Sequence, residues 1–136
     1  DFAVRYANDR HQFGRAIGRF QAIQQQLAVA AEWSAMAAMA SCLALSDPGS
    51  ELEPDRVSAA REVACTAAEQ VSGVAHAVHG AIGITGEYDL QLYTRRLKSW
   101  AGEFGSQRYW AARLGTRLLK GRDPRVWDHV IALATV

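Results

Sequence analysis

The stretch FQAIQQQLAVAAEWSAMAAMASCLAL, Phe20 to Leu45, decides the class of fold. Apolar or small residues recur at Phe20, Ile23, Leu27, Ala31, Ser34, Ala38, Cys42 and Leu45. That three-or-four spacing draws one stripe along a helix and cannot line one face of a strand. The segment runs into Ser46-Asp47-Pro48-Gly49-Ser50, a cluster of turn formers. The next helix opens near Glu53-Pro54-Asp55, with proline where a first turn tolerates it. Its stripe is Val57, Ala60, Ala64, Ala67, Val71, Val74 and Val78. Both stripes are rich in alanine, so the two helices can approach closely, and the short link predicts antiparallel neighbours.

Working outward, Asp1 to Arg10 reads as the end of an earlier helix, finished before Gly14. Gly80, Gly83 and Gly86 break the periodicity after the second long helix. A third helix carries Leu90, Tyr93, Leu97 and Trp100, and Gly102 and Gly105 punctuate its end. A fourth runs from about Ser106 to Lys120 with Trp110, Leu114 and Leu118 inward, stopped by Gly121-Arg122-Asp123-Pro124. A short closing helix carries Val126, Trp127, Val130 and Ala134. No period-two run and no Asn-Gly or Asp-Gly turn suggests a hairpin. The expected fold is all-α, an up-and-down four-helix bundle forming a single domain over 1–136, taken as a fragment of a larger chain.

The 136 residues are enough for one buried core. Fifteen Lys+Arg against fourteen Asp+Glu leave a net charge of +1, which gives no reason to expect nucleic acid or an anionic membrane as partner. The longest apolar run, Ala35 to Leu45, is interrupted by Ser41 and is too short to span a bilayer. Cys42 and Cys65 each sit in an apolar helical stretch without C-x-x-C spacing, which reads as two buried, reduced thiols in a cytoplasmic protein.

Three segments could carry chemistry. Arg10-His11-Gln12-Phe13-Gly14-Arg15, followed by Ile17-Gly18-Arg19-Phe20-Gln21, places three arginines between two helices. Guanidinium forks match phosphate oxygens, and a loop opening a helix offers free N–H groups, so this is either an anion or nucleotide contact or a basic interhelical loop with Phe13 tucked into the core. His76 to Tyr88 combines two histidines with glycines that let a ligand approach the backbone, or that simply cap a helix. His76 and His79 share a helix face, but two ligands do not make a zinc site, and no metal is expected. Trp100 to Gln107 places Glu103 among glycines, as a general base or as an acid favoured by a helix dipole.

Together these segments resemble the acyl-CoA dehydrogenase family. Tyr6 to Gln21, Y-A-N-D-R-H-Q-F-G-R-A-I-G-R-F-Q, is similar to that family's Y-A-x-x-R-x-Q-F-G-x-x-I-x-x-F-Q. Two long helices follow, then the glycine turn H-G-A-I-G-I-T-G-E-Y and Arg95, where the family has an arginine. The resemblance covers essentially the whole chain and corresponds to the C-terminal helical domain. The wording H-G-A-I-G-I-T-x-E-Y…Y-T-R-R is closest to subunits of actinobacterial heteromeric members that act on bulky acyl-CoAs.

The resemblance implies FAD, held mainly by a neighbouring subunit. Arg10 would meet its pyrophosphate, Gln12 and Phe13 would line it, Gln21 joins them, and Gly80 and Ala81 lie near the same dinucleotide. It also implies an acyl-CoA substrate, a homo- or hetero-tetramer with another dehydrogenase subunit, and an electron-transfer acceptor. Three positions depart from the pattern. The usual glutamine is Ala77, the paired glycines are Gly80-Ala81, and the catalytic E-G-T triplet falls on Phe104-Gly105-Ser106. The base position is therefore Phe104, while Ser106 stays in the cofactor-facing set. Glu103 is adjacent, but one residue along a helix turns a side chain by about 100°. Either the base sits on a helix upstream, or this is the non-catalytic subunit of a heteromeric enzyme.

Overall fold

Pro54 opens the most buried helix of the chain, and the local chemistry shows why it starts there. The Glu53 carboxylate accepts hydrogen bonds from the backbone N–H groups of Asp55 (3.0 Å) and Arg56 (2.7 Å), satisfying two donors that a first turn leaves free. Proline is tolerated beside it because its missing N–H would be unpaired anyway. The computed structural model describes residues 1–46, 52–120 and 125–134. The expected turns at Asp47-Pro48-Gly49-Ser50 and Gly121-Arg122-Asp123-Pro124 lie outside the described residues.

The helices are α1 (Phe2–Asp9), α2 (Gln21–Ala44), α3 (Pro54–His79), α4 (Leu90–Gly102), α5 (Gln107–Lys120) and α6 (Val126–Ala134). Short 3₁₀ turns occupy Ile17–Arg19 and Gly80–Ile84. The all-α expectation holds, with one exception. Strands β1 (His11–Gln12) and β2 (Arg15–Ala16) form a small antiparallel hairpin, pairing His11 with Ala16 and Gln12 with Arg15.

The chain divides into two compact units, one of residues 1–35 and 67–100, the other of 36–66 and 101–136. Helices α2 and α3 run through both. The first unit is centred on Ala7, Ile17 and Val78, with Ala3, Tyr6, Phe20, Ile23, Leu27 and Val74 packed around them. Across it, His76 Nε2 and Thr94 Oγ1 share a 2.8 Å hydrogen bond between α3 and α4. In the second unit, the buried Asp55 carboxylate pairs with Arg117 of α5 and lies 3.5 Å from His129 Nε2 of α6. Cys65 is buried there and donates to the Ala101 carbonyl at 3.2 Å.

The α3 stripe is as expected: Ala60, Ala67 and Val78 are buried, and Val57, Ala64, Val71 and Val74 are half-buried. The α2 stripe differs. Its half-buried row is Ile23, Leu27, Ala30, Trp33, Ala37, Ala40 and Ala44, while Ala31, Ser34, Ala38, Cys42 and Leu45 are exposed. Nine of its 24 residues are alanine, so small apolar side chains occupy every face and leave the phase to the few large ones. Cys42 is consequently not a buried thiol, although both cysteines are free. On α4, Leu90 and Thr94 are buried, whereas Tyr93 and Trp100 are exposed. Trp110, Leu114 and Leu118 of α5 are half-buried as expected, but Val126, Trp127 and Val130 of α6 are exposed. By length and composition α2 is also apolar enough to cross a membrane, which the shorter run Ala35 to Leu45, with Ser41 inside it, does not reveal.

Two glycines test this account. A Cβ at Gly83 would sit 2.9 Å from His79 Cβ and 3.0 Å from Leu90 Cδ2, whereas one on Gly73, within α3, meets nothing within 4 Å. Urea unfolding is expected to show Gly83→Ala destabilised by about 1–3 kcal/mol from overpacking. Gly73→Ala should be stabilised by roughly 0.5–1 kcal/mol through helix propensity.

Candidate functional site

Arg10 ends α1 in an extended conformation, its N–H bonded to the Tyr6 carbonyl at 2.8 Å. Its own carbonyl accepts the Ile17 N–H, also at 2.8 Å, which closes the base of the hairpin. The loop between β1 and β2 is only Phe13-Gly14, with φ of 53° and 78°. Two positive φ values in a two-residue loop are the signature of the tight turn whose twist matches its strands. Asn-Gly is the usual sequence there, and Phe-Gly gives the same geometry at a local cost, because a bulky residue in the left-handed region loses about 1–2 kcal/mol. The ring is not tucked into the core. Phe13 is 91% exposed and touches Phe20 edge-on, centroid to centroid 6.1 Å.

The facing wall is the end of α3. Gly80 takes φ of 62°, and a Cβ there would meet nothing, so the requirement for glycine is the backbone conformation rather than space. His79, just before it, is 4% exposed. Its Nδ1 lies 2.7 Å from the Ala75 carbonyl, its ring stacks on Tyr6 at 4.2 Å, and the Tyr6 hydroxyl donates to the His79 carbonyl at 3.4 Å.

Hairpin and helix end thus enclose one cleft of about 620 Å³. Arg10, Gln12, Phe13, Gly80 and Ala81 all line it, so these five expected site residues share one surface despite some 70 intervening positions. Ala77, the departure from the glutamine pattern, lines it too. Gln21 does not; it is exposed at the start of α2. Sequence reasoning missed Tyr6, Ile17, Phe20 and His79 as wall residues. The signal for His79 was its place directly before a glycine that ends a helix.

The remaining expected residues belong to the second unit. Ser106 caps α5, its Oγ accepting the Tyr109 N–H at 3.3 Å. Phe104 has φ of 58° and is 87% exposed, and Gly105 follows at φ 113°. Arg61 donates to the Glu103 carbonyl at 2.6 Å, and Trp110 Nε1 to the Gly105 carbonyl at 3.2 Å, so the turn is tied on both sides of the Phe104 ring. Glu103 is exposed and lies beyond the end of α4, not in the first turn of α5 where a helix dipole would favour it. Among the described residues, no three His, Cys, Asp or Glu side chains gather as a metal site. His76 is engaged with Thr94, and His79 with Ala75.

A helical domain whose arginine-bearing hairpin and glycine-ended helix form one cleft has clear relatives. Residues 1–119 match the family described as acyl-CoA dehydrogenase, C-terminal domain. The chain belongs to the acyl-CoA dehydrogenase family. It is 36% identical over 114 residues to the acyl-CoA dehydrogenase IpdE2 of Mycolicibacterium smegmatis, covering 84% of this chain and 35% of that protein. It is 33% identical over 117 residues to the acyl-CoA dehydrogenase FadE34 of Mycobacterium tuberculosis, covering 84% and 16% respectively. The chain therefore spans about a third or less of these relatives. Among solved structures, glutaryl-CoA dehydrogenase from Mycobacterium smegmatis superposes with a TM-score of 0.78 at 31% identity, over 91% of this chain and 32% of that one. A chain in the structure of the electron transferring flavoprotein of Acidaminococcus fermentans gives 0.80 at 28% identity, over 88% and 32%.

The hairpin turn makes a direct prediction. Phe13→Asn replaces a strained aromatic with a residue that tolerates the left-handed region. Thermal or urea unfolding should show a gain of roughly 0.5–1 kcal/mol, since the ring it removes is solvent-exposed and contributes little burial.

Proposed function

We propose that this domain supplies one wall of an FAD site in an enzyme that dehydrogenates acyl-CoA thioesters between the α and β carbons. The single observation that carries the reading is that Arg10, Gln12, Phe13, Gly80 and Ala81 line one cleft. The cleft suits the cofactor's chemistry. Arg10 brings a guanidinium matched to a pyrophosphate, Phe13 presents an uncovered ring for a flat partner, and the open backbone at Gly80 allows close approach. When bound, FAD would accept the hydride released at the β carbon, which carries both electrons, while the α hydrogen leaves as a proton. The protein's part is to bind and orient it. Gln21 and Ser106 stay in the cofactor-facing set only as further contacts, Ser106 having its helix cap as an established role.

A second reading rests on Phe104. The position aligned with the family base carries an exposed aromatic ring, so this subunit would lend its cleft and interface to a catalytic partner. The exposed Val29, Met36 and Met39 of α2 and Trp127 and Ile131 of α6 support an assembly, a homo- or hetero-tetramer, as the destination of that apolar surface. We assign the apolar length of α2 to such packing rather than to a membrane. Two free cysteines, one exposed, favour the reducing cytoplasm. An acyl-CoA as substrate and an external electron-transfer acceptor complete the reading.

The intact protein, with its partner subunit where one exists, should purify yellow. Arg10→Ala should lower FAD retention about tenfold or more, since a hydrogen bond to a charged group contributes roughly 1.5–3 kcal/mol. A colourless preparation with the partner present defeats the FAD reading.

Glu103→Gln should leave acyl-CoA-dependent reduction of the bound flavin within about twofold. A proton-transfer group would lose on the order of 10²–10⁴-fold, and a loss of that size would identify Glu103 as the base.

A further inference from the structure

The hairpin has a second concave side. A cavity of about 460 Å³ is lined by Asn8, His11, Gly14, Arg15, Ala16 and Arg19. Arg10, Gln12 and Phe13 line the first cleft but not this one, so the two spaces differ in their cations.

The charge here is one-sided. The chain as a whole carries +1, yet no Asp or Glu occurs between Arg10 and Ala31. Asp1 and Asp9, the only carboxylates before Glu32, are not among the lining residues. Arg15 and Arg19 are exposed, and neither has an ion-pair partner among the described residues. Two unneutralised guanidiniums beside one cavity repel each other, and an anion between them relieves that repulsion.

The site is also partly pre-organised. The Arg15 guanidinium lies over the Phe20 ring at 4.1 Å, which limits its freedom before anything binds. His11 Nδ1 is 3.1 Å from the Asp9 carbonyl, tying the ring to the backbone. A Cβ at Gly18 would come within 3.1 Å of Asn8 Oδ1, so glycine there leaves room for the amide. Gly14 has nothing within 4 Å of where a Cβ would stand, which keeps the backbone beside Arg15 open.

We propose that this second cavity is an anion site for a phosphate-bearing ligand, gripped by Arg15 and Arg19 with His11 and Asn8 as additional hydrogen-bonding groups. Guanidinium forks match phosphate oxygens bidentately, and two of them suit a doubly charged group better than a single carboxylate. Four of the six lining residues are polar and the other two are glycine and alanine. The cavity therefore offers little cover to an apolar body and favours the phosphate end of its ligand. Its volume falls within the roughly 300–1,000 Å³ of pockets that hold small molecules, so a pyrophosphate or phosphomonoester fits. The proposal does not rest on FAD occupying the first cleft.

Isothermal titration of the intact protein with pyrophosphate, after saturation with FAD, tests it. Wild type should bind one pyrophosphate saturably, more weakly as salt rises. The double variant Arg15→Gln/Arg19→Gln should bind at least tenfold more weakly, and Arg10→Ala should bind as wild type does. Lysine at both positions should restore part of the affinity by returning the charge without the fork. Circular dichroism of each variant guards against unfolding. Absence of saturable binding in wild type overturns the proposal. So does loss of binding in Arg10→Ala with none in the double variant, which would place the anion in the first cleft. A poly-glutamate peptide that displaces pyrophosphate at lower concentration than phosphomonoesters do would also overturn it, by making the site a protein contact. If flavin fails to bind but the double variant still loses pyrophosphate, the first cleft's assignment falls and this one stands.

Discussion

The contact among Ala7, Ile17 and Val78 is what the candidate site depends on. Ala7 belongs to the last turns of α1, Ile17 follows the hairpin, and Val78 lies one residue before His79. Burying Ile17 and Val78 contributes about 1.5–3 kcal/mol each. That energy is spent joining a hairpin near residue 13 to a helix end near residue 80. The candidate site residues themselves contribute little to the joint. Arg10, Gln12, Phe13 and Gly80 are all exposed, held in place by a core that lies beneath them. The backbone bond from Ile17 N–H to the Arg10 carbonyl ties the root of the hairpin to the same buried residue.

Two turns repeat one unusual device. Phe13-Gly14 and Phe104-Gly105 are each a phenylalanine followed by glycine, with positive φ at both residues and the ring in solvent. Each pays twice, once in backbone conformation and once in exposed apolar area. Neither cost is recovered inside its own turn. The surroundings hold each turn instead: two strand pairs for the first, and bonds from Arg61 and Trp110 for the second. Strain held by its surroundings clusters at active sites and ligand clamps. In Phe13 the ring faces the cleft of the proposed cofactor; in Phe104 it stands where the family pattern puts a carboxylate.

The sequence was most legible where side chains differ strongly in size. Valines spaced along α3 identified its buried face, and the Glu53-Pro54 start was visible because a carboxylate and a proline each have one good reason to stand there. Alanine-rich α2 was read out of phase beyond Leu27, since a methyl group on every face carries little phase information and large residues stand on both sides, Trp33 half-buried but Met36 and Met39 exposed. The hairpin was invisible because its turn uses Phe-Gly, not Asn-Gly, and strands of two residues show no periodicity. Motif wording found Arg10, Gln12, Phe13, Gly80 and Ala81. Tyr6 and His79 open the two motif stretches, yet the wording could not show that they form the wall, because that comes from a ring stack between residues 73 apart.

Polar groups join the half-buried Trp110, Leu114 and Leu118 in fastening the second unit's later helices. Among the described residues α5 and α6 have no fully buried side chain. What reaches inward is polar: the Arg117 guanidinium and the His129 ring converge on Asp55, which is itself buried in the first turn of α3. A carboxylate in that position is doubly constrained. The helix N-terminus favours its negative charge, and its burial makes loss of a partner expensive, because an uncompensated charge would remain. Such a joint specifies which residues meet while leaving Val126 and Trp127 exposed. A helix fixed through its polar side keeps its apolar side available, as the proposed assembly of subunits would require. The same logic governs the hairpin in the first unit, where buried Ile17 does the fastening and the cationic and aromatic groups are left facing outward.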